Sequence, residues 1–452
     1  LLFYPVDLYK QNITGYYIMD KEFLKYFLNF PVISRRDWLK IFGFSTLSTL
    51  AFQKSFAGEE TRKIHLSSSN PSPYWTSQNP FAYEPQKLPL IRLNDRPIVL
   101  ETPREFFEFP FTPNAAFYVR YHLDGIPNSI DLSKWRLYLE GNFSNPISFS
   151  FADLLTQFEP VSVVAVNQCS GNSRSRFYPR VPGAQWGNGA MGNAKWTGVR
   201  LIDVLEKAKI KPNTVQIQFQ GFDYGRTPEG TPAHAFIKSL DRNDPILEET
   251  LLAYAMNGEP LPLLNGFPLR LVVPGKFATY WIKHLTWIRA LETPDTNFWM
   301  KTAYRIPKTN GNSITFEEYQ KKAPIQTIPI GDIQMPVRSF IIQPTGDVKL
   351  VEKMGVQVKG IAFSGYGRIV KVEFSADGGS HWQEAMLERD LGKYSFRLWH
   401  LNWTPRQPGE YLLASRAWDE KGNTQPTTPI WNPGGYCWNT IEIQKVWVGK
   451  YA

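Results

Sequence analysis

The chain has 452 residues, room for about three ordinary domains or two larger ones, and its 42% hydrophobic and 20% charged content excludes a wholly disordered, collagen-like or polytopic membrane protein. Fifty basic against 41 acidic residues leave +9, spread without a Lys/Arg run of nucleic-acid-binding type, so an anionic substrate or acidic partner is expected and no nucleic acid. Cys169 and Cys437, 268 positions apart, are the only cysteines, which excludes a disulfide framework, a Cys-rich zinc site, a cysteine-ligated iron–sulfur cluster and a CxxCH haem attachment.

Residues 1–18 precede the first methionine and are given no function. Ser34-Arg35-Arg36-Asp37-Trp38-Leu39-Lys40, the mildly apolar Ile41–Phe52 and Ser55-Phe56-Ala57 then follow in the order of a twin-arginine export signal with a small-x-Ala cleavage site. The apolar part is too short and too polar for a stable membrane span. Residues 1–57 are therefore expected to be an N-terminal extension and export signal, and the mature protein is expected in the periplasm. The polar, Pro-rich stretch that follows predicts an extended arm over 58–84. Short strand-like runs at Ala116–Arg120, Trp135–Glu140, Val161–Val166, Val215–Phe219 and Leu269–Val273 alternate with turns. Helices are predicted at Phe151–Gln157, capped by Ser150, and at Leu201–Lys207. Together they predict an α+β domain over 85–330. From Val356 to Val448 a series of short alternating strands, the clearest being a hairpin at Ile369–Leu387, predicts an immunoglobulin-like β-sandwich over 331–452.

Gly187-Asn188-Gly189-Ala190-Met191-Gly192 fits the GxGxxG pattern, but no apolar strand precedes it and no acidic residue lies about 20 positions on, so a structural loop is expected. Ser375-Ala376-Asp377-Gly378-Gly379-Ser380-His381-Trp382 has the form of an Asp-box, a pattern of carbohydrate-active propellers; a single copy predicts only a turn, with a non-enzymatic adhesion or carbohydrate-binding role as a remote alternative. The informative stretch is Asn167-Gln168-Cys169-Ser170-Gly171-Asn172-Ser173-Arg174-Ser175-Arg176, where a cysteine ends an apolar run and enters an electropositive, backbone-rich loop of the kind that favours a thiolate. Such a thiolate could bind a metal or attack, while an inert buried cysteine fits the spacing equally well. The six histidines show no nucleophile-type signature, and a single soft ligand holds a metal only if that metal brings ligands of its own.

The Cys169 segment, Pro182-Gly183-Ala184-Gln185-Trp186, Gly189–Val199, Leu201-Ile202-Asp203-Val204-Leu205, Leu251–Pro262 and Gly266-Phe267-Pro268-Leu269-Arg270 together resemble the sulfite oxidase family of molybdopterin enzymes over about residues 95–450, most of all its bacterial sulfite dehydrogenases. The resemblance implies a molybdenum-molybdopterin cofactor with Cys169 as sole protein ligand to the metal. It places Arg120 against an oxyanion substrate and His122 beside the metal, with Tyr304 as the active-site tyrosine. Asp223, Arg270 and Lys283 fall at pterin- and phosphate-holding positions. Tyr121 and Asn265 also fall at cofactor-binding positions, where Tyr121 replaces a common Asn and Asn265 a common His. The implied reaction is oxidation of sulfite to sulfate by oxygen-atom transfer. With no haem expected in this chain, the electrons are expected to pass to a c-type cytochrome, and the assembly to be a homodimer or a heteromer with a cytochrome subunit. A sulfane dehydrogenase subunit of a thiosulfate-oxidising complex is the alternative; a periplasmic methionine-sulfoxide reductase would lack the C-terminal sandwich.

Overall fold

The computed structural model describes residues 81–82 and 87–450 except 228–229, 310, 312 and 347; the export signal, and the arm apart from Phe81–Ala82, lie outside the described residues. No helix among the described residues is long and apolar enough to cross a membrane.

The first half is built on two five-stranded sheets. In one, the strands run in the order His234–Asp241, Gln216–Gly225, Trp287–Leu291, Arg136–Gly141 and Ile147–Ser150, with only Trp287–Leu291 and Arg136–Gly141 parallel. The other has the order Glu259–Pro260, Leu251–Met256, Met191–Arg200 and Val161–Gln168, with Arg270–Val272 also pairing to Leu251–Met256. Every residue of Leu251–Met256 is buried, as expected of a central strand covered on both faces. The helix Phe151–Gln157 starts where predicted: Ser150 and Asp153 form a reciprocal capping box, and Phe151, Leu154 and Leu155 bury one face. Leu201–Lys207 also forms, although Arg200 at its start offers no side-chain cap.

Two elements differ from expectation for local reasons. Ala116–Arg120 shortens to a strand at Val119–Arg120, because Asn114–Ala116 winds into a 3₁₀ turn after Pro113. The ten-residue strand Met191–Arg200 was hidden by its glycines and polar residues. Those glycines are close-contact positions: a Cβ on Gly192 would lie 2.4 Å from the Phe117 ring, and one on Gly198 2.0 Å from the Leu252 carbonyl oxygen. The GxGxxG loop is structural, as expected. Its Gly187 and Gly189 amides donate to the buried Glu101 carboxylate at 2.9 and 2.8 Å, so a side chain of the protein fills the anion-binding nest that a phosphate would need.

The second half is a β-sandwich. One sheet has the order Arg338–Gln343, Val356–Phe363, Arg397–Trp403 and Met386–Leu387; the other has Leu350–Val351, Ile443–Gly449, Gly409–Asp419, Ile369–Ser375 and Gln383–Glu384. Ile341, Val358 and Trp399 of the first pack against Val372, Phe374, Leu413 and Val446 of the second. The second arm of the hairpin expected at Ile369–Leu387 becomes two short strands on different sheets, so the chain changes layer between Glu384 and Met386. The Asp-box is a self-contained turn: the Asp377 carboxylate accepts from Ser380 N, His381 N, Ser375 Oγ and His381 Nδ1. These bonds, that from the His381 amide foremost, hold its carboxyl well below the usual carboxylate range.

The tract between Gly409–Asp419 and Ile443–Gly449 leaves the sandwich and crosses to the first half. Trp431 Nε1 donates to Pro179 O at 2.8 Å, and Glu442 pairs with Arg104 at 2.5 Å and Arg176 at 2.7 Å. Arg338, from the sandwich strand that opens this half, donates to Gln168 Oε1 at 3.3 Å and Asn188 Oδ1 at 2.9 Å, on either side of the Cys169 loop.

A Cβ on Gly189 would sit 1.9 Å from Thr102 O and 2.6 Å from Glu101 Cγ, so that backbone and a buried side chain would both have to move. Gly189→Ala is therefore expected to destabilise the protein by about 1–3 kcal/mol. Thermal or urea unfolding checks this; a variant with wild-type stability would overturn the close-packing reading of the loop.

Candidate active site

The strand Val161–Gln168 delivers Cys169 to the bottom of a cleft, and a tight turn fixes it there: Cys169 N donates to Ala190 O at 2.9 Å and Asn172 N returns to Cys169 O at 3.0 Å. Ser173 takes a left-handed conformation, φ 66°, and turns the chain into the Arg174–Arg176 3₁₀ turn. The cleft encloses about 510 Å³ of non-protein space, its open mouth included, a volume suited to a cofactor-sized ligand.

Seven of the predicted site residues line this cleft together: Cys169, Arg120, His122, Asp223, Asn265, Arg270 and Lys283. They come from both five-stranded sheets, from the strand Val119–Arg120 of a separate four-stranded sheet and from the loops between them.

Two of the predicted site residues do not line it. Tyr121 points away, because consecutive residues of extended backbone face opposite sides, so that Arg120 and His122 look into the cleft while Tyr121 looks into the core. Its hydroxyl bonds His284 Nε2 at 2.6 Å and its ring lies 4.1 Å from Lys283 Nζ, so its side chain supports a cleft residue from behind. Tyr304 stands at the flank, held at φ 58°, an unusual conformation for a bulky residue. Its ring lies 5.4 Å from that of His122 and stacks on Tyr436 at 5.4 Å.

The electrostatics are those of an anion site. Arg120, Arg270 and Lys283 face Asp223 as the one acidic residue of the wall. Burial drives Asp223 upward against the pull of Lys283, and drives Lys283 downward. Burial, reinforced by Arg120, Lys283 and Lys238, keeps His122 well below the usual imidazole range, so its ring is neutral at pH 7. That ring is sandwiched flat on Phe236 at 4.0 Å and its Nδ1 is buried with no hydrogen-bond partner. Asn167 Nδ2 and Arg270 Nε are buried without partners in the same wall. Three orphaned polar nitrogens around a cationic cleft are what a polar, anionic cofactor would satisfy. Among the described residues no cluster of three His, Cys, Asp or Glu side chains could hold a bare metal ion, so a metal at Cys169 must bring its own ligands. A molybdenum held by a pterin dithiolene meets that condition, with Cys169 as the protein's ligand and the cationic wall for the phosphate.

Three further residues went unnoticed in the sequence. Arg174 is buried five positions beyond Cys169; it donates to Ala184 O and Gly434 O at 3.2 and 3.1 Å and stands 5.3 Å from the Tyr436 ring centre. The run of arginines in this loop was its visible signal. Tyr436 comes from the tract that leaves the sandwich, 267 positions from Cys169, and nothing local marks it. Lys87 lies just ahead of the strand Leu90–Asn94, where no motif marks it; its ammonium donates to Asn265 Oδ1 at 2.5 Å. Cys437, expected inside the sandwich, lies instead in the same crossing tract: its amide donates to Ser170 O at 2.9 Å and its side chain packs on the first-half core. The glycines and prolines of 426–435 keep this tract out of the sheet ladder. Burial pushes the Cys437 thiol well up, away from metal-binding thiolate.

Known proteins agree with this construction. Residues 122–299 match the oxidoreductase molybdopterin binding domain and 331–446 the Mo-co oxidoreductase dimerisation domain. The chain is 35% identical over 396 residues to mitochondrial sulfite oxidase of Rattus norvegicus, covering 83% of this chain and 69% of the relative. It is 30% identical over 382 residues to sulfite oxidase of Arabidopsis thaliana, covering 78% and 93%. In fold it is similar to the sulfane dehydrogenase SoxCD of Paracoccus pantotrophus, with a TM-score of 0.66 at 23% identity over 87% of this chain and 97% of that one. Fold and cleft thus define a molybdopterin-dependent oxidoreductase with a C-terminal dimerisation domain. Within that class, the chain belongs to the sulfite oxidase family.

Cys169→Ser is expected to leave a folded protein with little or no oxidase activity and an altered metal spectrum, whereas Cys437→Ser should change activity little. Metal analysis and activity of both variants test this, and equal, mild effects would refute the assignment of Cys169.

Proposed function

We propose that the enzyme oxidises sulfite to sulfate and passes the two electrons to a c-type cytochrome in the periplasm. The observation that carries this reading is Arg120, a guanidinium that lines the cleft together with Cys169, with the buried Arg174 behind Tyr436 adding fixed positive charge. Sulfite is a small dianion, and a guanidinium fork suits two of its oxygens. The bound molybdenum–pterin group supplies oxygen-atom transfer and two-electron redox chemistry. In balance, sulfite and water become sulfate, two protons and two electrons, so the site needs an anion seat, a way to move protons and an outlet for electrons.

The residues divide these tasks. Arg120 orients the dianion, and Arg174 adds positive charge from behind the wall. Neutral His122 offers a hydrogen bond at Nδ1 without adding charge. The Tyr304 phenol, which burial holds in its protonated form, donates a hydrogen bond without ionising. The naming of curated relatives as sulfite oxidases supports sulfite as the substrate. The dimerisation-domain match supports a dimer or a heteromer with an electron-accepting subunit. The Arg35-Arg36 signal supports export after folding, which suits a chain that takes up its pterin before crossing a membrane.

A charge-assisted hydrogen bond to a desolvated dianion contributes about 1.5–3 kcal/mol, roughly one to two powers of ten in binding. Arg120→Gln is therefore expected to raise the sulfite KM by at least that order, and Arg120→Lys to recover only part of the loss, restoring charge without the fork. Tyr304→Phe should act mainly on kcat. Sulfite-dependent cytochrome c reduction at saturating acceptor measures all three, and unchanged KM and kcat in Arg120→Gln would remove this arginine from the substrate site. Turnover of thiosulfate-derived sulfane with none of free sulfite would favour the sulfane dehydrogenase instead.

The double variant Arg35→Lys, Arg36→Lys should accumulate as an unprocessed precursor in the cytoplasm. Cell fractionation checks it, and normal periplasmic accumulation would contradict the export reading.

A further inference from the structure

Lys87 is a buried ammonium that pairs with no carboxylate among the described residues. Its three protons go to three neutral acceptors: Asn114 O at 2.8 Å, Phe117 O at 3.0 Å and Asn265 Oδ1 at 2.5 Å. Burial, with Arg270 adding its repulsion, pushes this amine down to about 7. A cation so placed is costly to the fold, and the position of its acceptors shows what it does there.

By donating to Oδ1, Lys87 fixes the orientation of the Asn265 amide: the oxygen faces Lys87, and Nδ2 is left to donate to Tyr118 O at 3.1 Å. The Asn265 main-chain carbonyl in turn receives Arg270 Nη1 at 2.9 Å. The other arm of Arg270 reaches Asn167 Oδ1 at 3.4 Å, the atom that also accepts from the Tyr118 hydroxyl at 2.7 Å. One continuous set of hydrogen bonds thus joins the Phe117–Arg120 wall, the Leu263–Asn265 turn, Arg270 and the strand that ends at Cys169. Lys87 closes it from a segment 178 positions away from Asn265.

We propose that Lys87 and Asn265 form a coupled positioning pair that sets the spacing of the cofactor cleft, and thereby retains the molybdenum–pterin group without touching the substrate. Asn265 lines the cleft, yet both ends of its amide are engaged by protein; its contribution is to hold Arg270 and the Tyr118 wall in register, and Lys87 holds Asn265.

The test uses purified holoenzyme: wild type, Lys87→Met, Asn265→Leu and the double variant. Molybdenum per chain and pterin fluorescence after oxidative release give occupancy, and pterin loss on dilution gives a release rate, all independent of turnover. Each single variant is expected to release pterin about ten-fold faster, in line with the loss of one charge-assisted hydrogen bond, and the double variant no faster than either. Release rates that multiply in the double variant, or singles indistinguishable from wild type, would overturn the pairing. If Lys87→Met does not fold, Asn265→Asp serves: it keeps an acceptor for Lys87 but loses the donor to Tyr118 O. The pair predicts intermediate release for it, and wild-type release in both Asn265→Asp and Asn265→Leu would end the proposal. Thermal melts of the same samples separate retention from stability, because a merely structural role would move the melting temperature and the release rate in proportion.

Discussion

Positive charge buried around a single thiol is the constraint on which the rest of this structure depends. Arg120, Arg270 and Lys283 line the cleft and Lys87 and Arg174 stand behind it, against Asp223 as the one acid of the wall. Two like charges about 4 Å apart at an effective dielectric of about 20 repel by about 4 kcal/mol, so such a cluster is tolerable only with compensation. The aromatic residues supply part of it. Lys283 lies over Tyr121, Arg270 over Trp196 and Trp281, Arg174 over Tyr436, and Lys238 over Tyr280 and Tyr304, each cation 4.1 to 5.9 Å from a ring centre. The 15% aromatic content of the chain thereby acquires a local reason. The anionic cofactor supplies the remainder, which links holding the cofactor to holding the fold.

The sandwich takes part in this site as well as carrying the dimerisation fold. Arg338 grips Gln168 and Asn188 on both sides of the Cys169 loop, and Glu442 ties Arg104, Arg176 and Asn188 together. Glu442 is almost wholly buried and nonetheless ionised, since Arg104 and Arg176 hold its carboxyl below the usual range against the effect of burial. A change in how the two halves pack would therefore be felt at Cys169 through rigid side-chain contacts. Tyr436, stacked on Tyr304, extends that connection to the flank of the cleft.

Much of the architecture was legible in the sequence because it rests on local rules. The Ser150 capping box, the helix at Leu201–Lys207 and the sandwich strands Val356–Phe363 and Ile369–Ser375 follow from periodicity and end signals that act within a few residues. Met191–Arg200 escaped, since its glycines are there for contacts with Phe117 and Leu252, which no local pattern encodes. The Glu101 carboxylate in the GxGxxG nest is 86 positions from Gly187 and equally invisible.

The sequence alone determined the chemistry available: one cysteine at the end of an apolar strand, an arginine-rich loop after it, and ordered motifs resembling a molybdopterin enzyme. It marked Arg120, His122, Asp223, Arg270 and Lys283, and these do meet in one cleft. Only the tertiary structure decided which neighbours face that cleft, turning Tyr121 to the core and leaving Asn265 in the wall with its amide engaged. Only the structure brought in Lys87, Arg174, Tyr436 and Arg338. The physical reason is distance along the chain: whether a buried charge is tolerated depends on partners supplied by packing, and those partners lie up to several hundred residues away, where no periodicity or spacing reaches.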